Sequence, residues 1–163
     1  MIHLSVKTLR LFSLFIFISF YSSMLQAQLE VEPTGTLFTP ESLISNVFLG
    51  DGVEVLDIQH QGTDNSVGYF TNGGTDIGID RGIVMATGQA VTAATPNNGG
   101  GTTGNTSGAS SDPYLNVISD DLNDLTKYTI RFIPSADTLR FRYTFASEEY
   151  PEFVCSDFND IFG

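Results

Sequence analysis

Apolar residues recur at helical spacing between Thr39 and Gly50. Thr39 can cap a helix, Pro40 suits its first position, and Glu41 complements the positive end of the helix dipole. Four apolar side chains then fall on one helical face: Leu43, Ile44, Val47 and Phe48. Gly50 and Gly52 end the element. The pattern predicts one helix of about ten residues, which is too short to be stable alone and therefore packs on a sheet.

The remaining apolar positions follow β patterns. Runs bounded by turn-forming residues predict four strands: Val53–Ile58, Val67–Phe70, Gly82–Thr87 and Tyr128–Ile133. The clearest alternation lies in Leu139–Phe145, where apolar Leu139, Phe141, Tyr143 and Phe145 alternate with Arg140, Arg142 and Thr144. Since only the short turn Pro134–Asp137 separates this run from the preceding one, we expect the two to form an antiparallel hairpin.

Many short strands with glycine-rich turns and little helix are typical of a β-sandwich. The sequence therefore predicts a mainly β fold, an antiparallel sandwich with one or two short peripheral helices. The second helical turn would start at Asp112 and run through Val117. A mixed α+β sheet is the alternative. Because the pattern stops abruptly at Gly163, we expect this domain to be truncated at its C-terminus.

Residues 1–27 have the layout of a secretory signal peptide. Lys7 and Arg10 precede an apolar run over residues 11–20, and small Ala27 stands where cleavage is expected. The run is short for a membrane span, which needs about 20 apolar residues. We therefore predict export, with a domain over residues 28–163 outside the cell or on its surface. An uncleaved N-terminal anchor is the alternative.

The Gly-, Ser-, Thr- and Asn-rich segment 95–111 can bury too little surface to offset its ordering and is predicted to be a mobile loop. Its Gly99, Gly101 and Gly104 match a dinucleotide-binding pattern by letter. That pattern requires a preceding strand and a following helix. Neither flank is present, so no nucleotide is expected.

The net charge of the chain further restricts the classes of partner that it is expected to bind. After residue 28 the chain has five Lys and Arg against nineteen Asp and Glu, a net charge of −14. Nucleic acid and anionic membrane surfaces require basic residues, so neither is an expected partner. We expect attachment to a membrane only through an anchor outside the sequence given. The acidity itself is explained either by solubility or by cation binding.

Acidic side chains cluster in Phe145–Gly163, which contains no Lys or Arg. Hard oxygen ligands at this density suit Ca²⁺. A turn at Tyr150 and Pro151 would bring two groups of oxygen ligands together, and the predicted ligands are Glu149, Glu152, Asp157, Asn159 and Asp160. Their spacing departs from an EF-hand loop, so the site would be irregular. The alternatives are a solvated acidic loop or pairing of these carboxylates with Arg140 and Arg142.

Catalytic chemistry has weaker support. Glu148, Glu149 and Glu152 could provide the acid and base of a glycoside hydrolase, which is the alternative function. The chain has no Trp to stack on sugars. His60 and Cys155 are too few for a zinc site, and nothing around Cys155 resembles a nucleophile motif. The unpaired Cys155 indicates either a partner cysteine elsewhere or a buried, inert thiol.

The string FASEEYPEFVCSDFNDIFG (145–163) resembles the signature of the choice-of-anchor L domain of exported bacterial surface proteins, with support from residues 39–58 and 74–88. This resemblance implies an extracellular, adhesin-like or matrix-like module that is joined to different C-terminal anchors in different proteins, and it implies no catalytic residues. We therefore predict a non-catalytic binding module for adhesion or surface assembly, whose partner is an extracellular glycan or surface protein. A purely structural segment of a large surface protein is a third possibility.

Overall fold

The computed structural model describes residues 28–50, 52–96, 108, 110–119, 122–147, 149–150, 153–156 and 161–163. The predicted signal peptide and most of the predicted loop 95–111 lie outside these residues, so both stay predictions. Within these described residues, five strands, here β1 to β5, form two antiparallel sheets, and one short α-helix, α1, is followed by a π-helical turn. The predicted mainly β class is confirmed.

Helix α1 spans Pro40–Leu43 and continues into a π-helical turn over Ile44–Phe48. It begins as predicted, because the Thr39 hydroxyl accepts a hydrogen bond from the Ser42 backbone N–H, while the Ser42 hydroxyl accepts one from the Thr39 N–H. This reciprocal pair satisfies two N–H groups that a helix start otherwise leaves unpaired. Leu43 and Ile44 are fully buried, whereas the last residue of the predicted apolar face, Phe48, is exposed.

The first sheet has the order β1–β3–β4, with β1 at Glu30–Pro33, β3 at Val67–Thr71 and β4 at Gly82–Met85. Both pairings are antiparallel. Gly68 permits the close approach of β1, since a Cβ atom there would lie 2.7 Å from the Glu32 carbonyl oxygen. The predicted strands Val67–Phe70 and Gly82–Thr87 are confirmed as β3 and β4, the latter ending at Met85, whereas β1 was not predicted.

The second sheet pairs β2, Val53–Gln61, with β5, Lys127–Pro134. The antiparallel register sets Gln61 opposite Lys127 and shifts once between Val55 and Asp57. Both strands were predicted, but their pairing was not. The predicted hairpin between β5 and Leu139–Phe145 is wrong, because β5 pairs with β2, and residues 139–145 form no ladder with any described strand.

The core lies where the two sheets and α1 meet. Its buried apolar side chains in the described part of the chain are Leu43, Ile44, Val67, Phe70, Ala90 and Leu125. A hydroxyl network crosses the same junction: Thr126 Oγ1 lies 2.7 Å from Ser66 Oγ and donates to the Ala86 carbonyl at 2.8 Å. Thr126 precedes β5, Ser66 precedes β3, and Ala86 follows β4. These bonds therefore join the two sheets.

Candidate binding surface

The segment 138–147 leaves β5 and crosses the outside of the protein. Four apolar side chains on it are more than half exposed, namely Leu139, Phe141, Tyr143 and Phe145. The alternation predicted from the sequence persists, because the rings of Phe141 and Tyr143 lie 6.0 Å apart on one side of the chain. Side chains two residues apart share a side in extended backbone and not in a helix. The segment is therefore strand-like but has no ladder partner among the described residues.

Phe162 completes an aromatic strip on this segment. Its ring stacks on Tyr143 at 5.1 Å with an interplanar angle of 25°, and it lies 6.4 Å from the ring of Phe145. We define the aromatic strip as Phe141, Tyr143, Phe145 and Phe162. These four side chains remain between 54% and 62% exposed. The strip is therefore a contiguous apolar surface in contact with solvent.

The opposite side of the same segment is polar and rests on the loop after β3. Arg142 Nη2 donates to the Gly78 carbonyl at 2.7 Å, and Thr144 Oγ1 donates to the Ile77 carbonyl at 3.1 Å. Arg140 lies on this side as well, and it forms no ion pair with a described residue. These two side-chain bonds hold the segment in place, and no described residue forms a backbone–backbone hydrogen bond with residues 138–146.

The acidic segment, which holds the predicted calcium ligands between residues 148 and 160, follows residues 138–147 in the chain. Of the predicted calcium ligands only Glu149 belongs to the described residues, and it is half-buried. Its carbonyl accepts a 2.9 Å hydrogen bond from the Phe153 N–H, and the Ser156 N–H donates to the Phe153 carbonyl at 3.0 Å. The bond between Ser156 and Phe153 closes a turn within the described residues 153–156.

The other predicted ligands, Glu152, Asp157, Asn159 and Asp160, lie outside the described residues, as does Glu148 of the alternative hydrolase. Within the described part of the chain, no three His, Cys, Asp or Glu side chains are placed to hold a metal ion. The calcium site thus stays a prediction. Cys155, between the two acidic groups, is an exposed free thiol with a left-handed φ of 64°. Of the two readings of this cysteine, the buried thiol is therefore wrong.

An ion pair that the sequence reasoning missed fixes the residues before β5. Asp112 is only 2% exposed, and it accepts hydrogen bonds from the N–H groups of Tyr114 and Leu115 at 2.9 and 3.1 Å. Its second oxygen pairs with the Lys127 ammonium. This hydrogen bond from Lys127 is the main reason that the pKa of the Asp112 carboxyl lies below its usual value. The predicted turn after Asp112 is confirmed as a short 3₁₀ helix, Leu115–Val117.

His60, the histidine considered for catalysis, lies against the core. Its ring is 4.9 Å from that of Tyr128, and its Nε2 atom is buried without a hydrogen-bond partner. Burial lowers the pKa of His60, and the nearby carboxylates of Asp64 and Glu41 offset part of that effect. A neutral ring packed against a tyrosine is suited to a structural role. The residues next to His60 in the sequence, Gln59 and Gln61, did not predict that its ring would pack against the core.

A shallow hollow of about 350 Å³ lies where β2 begins and β5 ends. Its lining contains one ionisable side chain, Glu54, among the residues Gly52, Val53, Glu54, Ile133, Pro134 and Ser135. General acid–base catalysis needs positioned proton donors and acceptors. This hollow therefore offers no acid–base pair.

These features define a small mainly β domain that presents an aromatic surface. The family model of the Choice-of-anchor L domain matches residues 30–163, and the chain belongs to that family. Membership implies a cell-surface or exported protein and a surface-associated module, in a family not known as enzymatic. No curated protein and no solved structure matches the chain. None of the described helices has the length and apolar character that crossing a membrane requires.

Proposed function

We propose that this protein is a non-catalytic binding module, exported by the signal peptide 1–27, that contributes to adhesion or surface assembly through a Ca²⁺-dependent surface. The observation that carries the proposal is the aromatic strip, with four rings more than half exposed. Its partner is an extracellular glycan or a surface protein.

The physical support is the unfavourable exposure of these rings. Aromatic side chains bury large areas when they find a partner, and they are enriched in the cores of protein interfaces. A contiguous apolar patch on a soluble protein marks an interaction site more often than isolated apolar residues do. The rings also hold one another through the Phe162 stack, so a partner would meet a partly ordered surface.

The calcium part of the proposal rests on the acidic segment next to this strip. The five proposed ligands are Glu149, Glu152, Asp157, Asn159 and Asp160. The proposed ligands lie in sequence between Phe145 and Phe162, whose rings are 6.4 Å apart, so the segment begins and ends at the strip. Carboxylate and carboxamide oxygens are the ligands that Ca²⁺ takes, in flexible numbers and geometry. A bound ion would reduce the repulsion between these carboxylates and stiffen the border of the strip.

Thermal unfolding of the full chain in Ca²⁺ and in excess chelator tests the proposal. A ligand that binds only the folded form at a hundredfold excess over its Kd stabilises by about 2.7 kcal/mol, which corresponds to a rise in Tm of several degrees. Combined Asp157→Ala and Asp160→Ala changes should abolish the rise. Combined Glu54→Ala and Asp137→Ala changes remove the same charge from exposed positions and should preserve it.

Two results would contradict the proposal. A Tm that is equal in Ca²⁺ and chelator would remove the calcium dependence and leave a surface module without a bound ion. Glycan hydrolysis that is lost in Glu148→Gln would replace the binding module with the alternative hydrolase.

A further inference from the structure

The first residues after the predicted signal peptide are held against the first sheet. The Leu29 N–H donates to Oδ2 of Asp76, in the loop between β3 and β4, at 3.4 Å. The Gln28 carboxamide donates to the Ala94 carbonyl at 3.2 Å. β1 begins at the next residue, Glu30. The chain is therefore fixed to two separate segments before the sheet begins.

Cleavage between Ala27 and Gln28 would change the charge of one atom at this place. In the uncleaved chain the backbone nitrogen of Gln28 belongs to a neutral peptide bond, whereas after cleavage it is an α-ammonium group with an ordinary pKa of about 8. Successive backbone nitrogens lie roughly 3.5 Å apart. Added to the 3.4 Å bond from Leu29, this spacing places the new positive charge within about 7 Å of Asp76 Oδ2, and rotation about the backbone bonds of Gln28 can shorten that distance.

Asp76 is suited to receive this charge. Its side chain is exposed and forms no ion pair with a described residue. A carboxylate has about four acceptor positions. Within the described part of the chain one of them is used, by the Leu29 N–H. An ammonium group can therefore bind Asp76 without displacing another cation of the described chain.

The charges of the surrounding segments also favour a cation at this place. β1 carries two carboxylates and the loop after β3 carries two, namely Glu30, Glu32, Asp76 and Asp80. The 3₁₀ helix Ala90–Ala94, which contacts β1, has no charged residue. Arg81, at the end of the loop, is the one cation in the sequence of these segments. A new positive charge would therefore reduce the repulsion between carboxylates.

We propose that removal of residues 1–27 creates an ion pair between the α-ammonium group of Gln28 and Asp76, which fastens β1 to the loop after β3. β1 is an edge strand of four residues, and strands next to a chain terminus fray easily. Processing thus stabilises this edge of the sheet after export. The inference rests on the signal peptide of the proposed function and is independent of the calcium site.

The exported protein tests the proposal, because its processed form contains two amino groups, those of Gln28 and Lys127. The full chain is expressed with its signal peptide, recovered after export and sequenced from its N-terminus. Reductive methylation with ¹³C then labels both amines and keeps their charge, and NMR follows their titration in excess chelator. The pKa of the α-ammonium group should be higher than in Asp76→Asn by about 0.2–0.7, the range of an exposed ion pair.

Two controls isolate this effect. The Lys127 signal should be the same in both chains and serves as the internal control. Asp137→Asn removes the same charge from an exposed position after β5 and should leave the pKa of the α-ammonium group unchanged.

Hydrogen exchange of the β1 amides provides the structural measurement. Extension of the processed chain by Gly-Ser moves the ammonium group away from Asp76 and should speed the exchange of the β1 amides that bond to β3 by about 1.5- to fivefold. In Asp76→Asn the same extension should have no effect, because the partner charge is absent. A role of Asp76 confined to its bond with Leu29 would make the extension equally effective in both chains.

Three results would overturn the proposal: an α-ammonium pKa equal in the two chains, an extension that does not change the exchange, or loss of the Gln28 amine by cyclisation to pyroglutamate, which mass spectrometry detects as loss of ammonia. A mature N-terminus at another residue would refute it together with the predicted cleavage site. A chain that keeps residues 1–27 would also refute the export signal of the proposed function, whereas cleavage before Gln28 with an unchanged pKa would refute the ion pair alone.

Discussion

Replacing Leu43 with alanine tests how far the fold depends on α1. Leu43 is 0% exposed and lies in the short helix that contacts both β2 and β3. The change removes three carbon atoms, worth about 2 kcal/mol of transfer free energy at roughly 0.8 kcal/mol per buried group. The cavity left behind adds to this loss, so we expect a total destabilisation of about 2–5 kcal/mol.

Urea unfolding followed by circular dichroism provides the measurement. With an m-value of about 1–3 kcal/mol/M, the midpoint of Leu43→Ala should fall by roughly 1 M or more. Leu37→Ala is the matched control, because Leu37 is 68% exposed and surface substitutions usually change stability by no more than about 0.5 kcal/mol. If the two variants lost equal stability, the assignment of the core to the junction of α1 and the two sheets would be wrong.

Two further substitutions probe the junction of the sheets. Thr126→Val should destabilise the fold by about 1–3 kcal/mol, because it leaves the Ala86 carbonyl unsatisfied, whereas Thr129→Val at an exposed position of β5 should be nearly neutral in the same urea assay. For His60, whose folded pKa is lowered, the unfolded chain binds more protons, so stability should be fully present above pH 6.5 and decrease as the pH falls towards the folded pKa. The urea midpoint of His60→Gln should lose that dependence, and a midpoint equally pH-dependent in this variant would assign the effect to other groups.

Local features of the sequence were sufficient to predict α1. The capping side chain of Thr39, the proline at the first helical position and the adjacent apolar pair Leu43 and Ile44 all lie within six residues. Their interactions are local, so their pattern is visible without knowledge of the rest of the chain. The same reasoning explains why β3 and β4 were predicted as individual strands.

Strand pairing was the point at which prediction failed. The alternation in Leu139–Phe145 correctly indicated extended backbone with two distinct sides, but a strand ladder needs hydrogen bonds from a second segment. β5 instead pairs with β2, and Gln61 and Lys127 meet across a long separation in sequence. No pattern within β5 identifies that partner, so the hairpin inferred from proximity was wrong.

The candidate binding surface, too, was predicted only in part from the sequence. Composition alone predicted the acidic C-terminal segment, since the residue types are present whatever their arrangement. The stack of Phe162 on Tyr143 could be identified only in the folded structure, and so could the bonds from Arg142 and Thr144 to residues 77–78. These contacts join residues far apart in the chain. The predicted ligands other than Glu149 lie outside the described residues, so their arrangement stays a prediction.

The chain's own sequence thus determined the family, the mainly β character, the start of α1 and the excess of negative charge, all of which depend on residue identity and short-range spacing. Tertiary structure decided which strands pair, which hydroxyl groups join the sheets and which aromatic rings stay exposed. These choices depend on contacts between distant segments, whose free energies compete with one another only after the chain has folded back on itself.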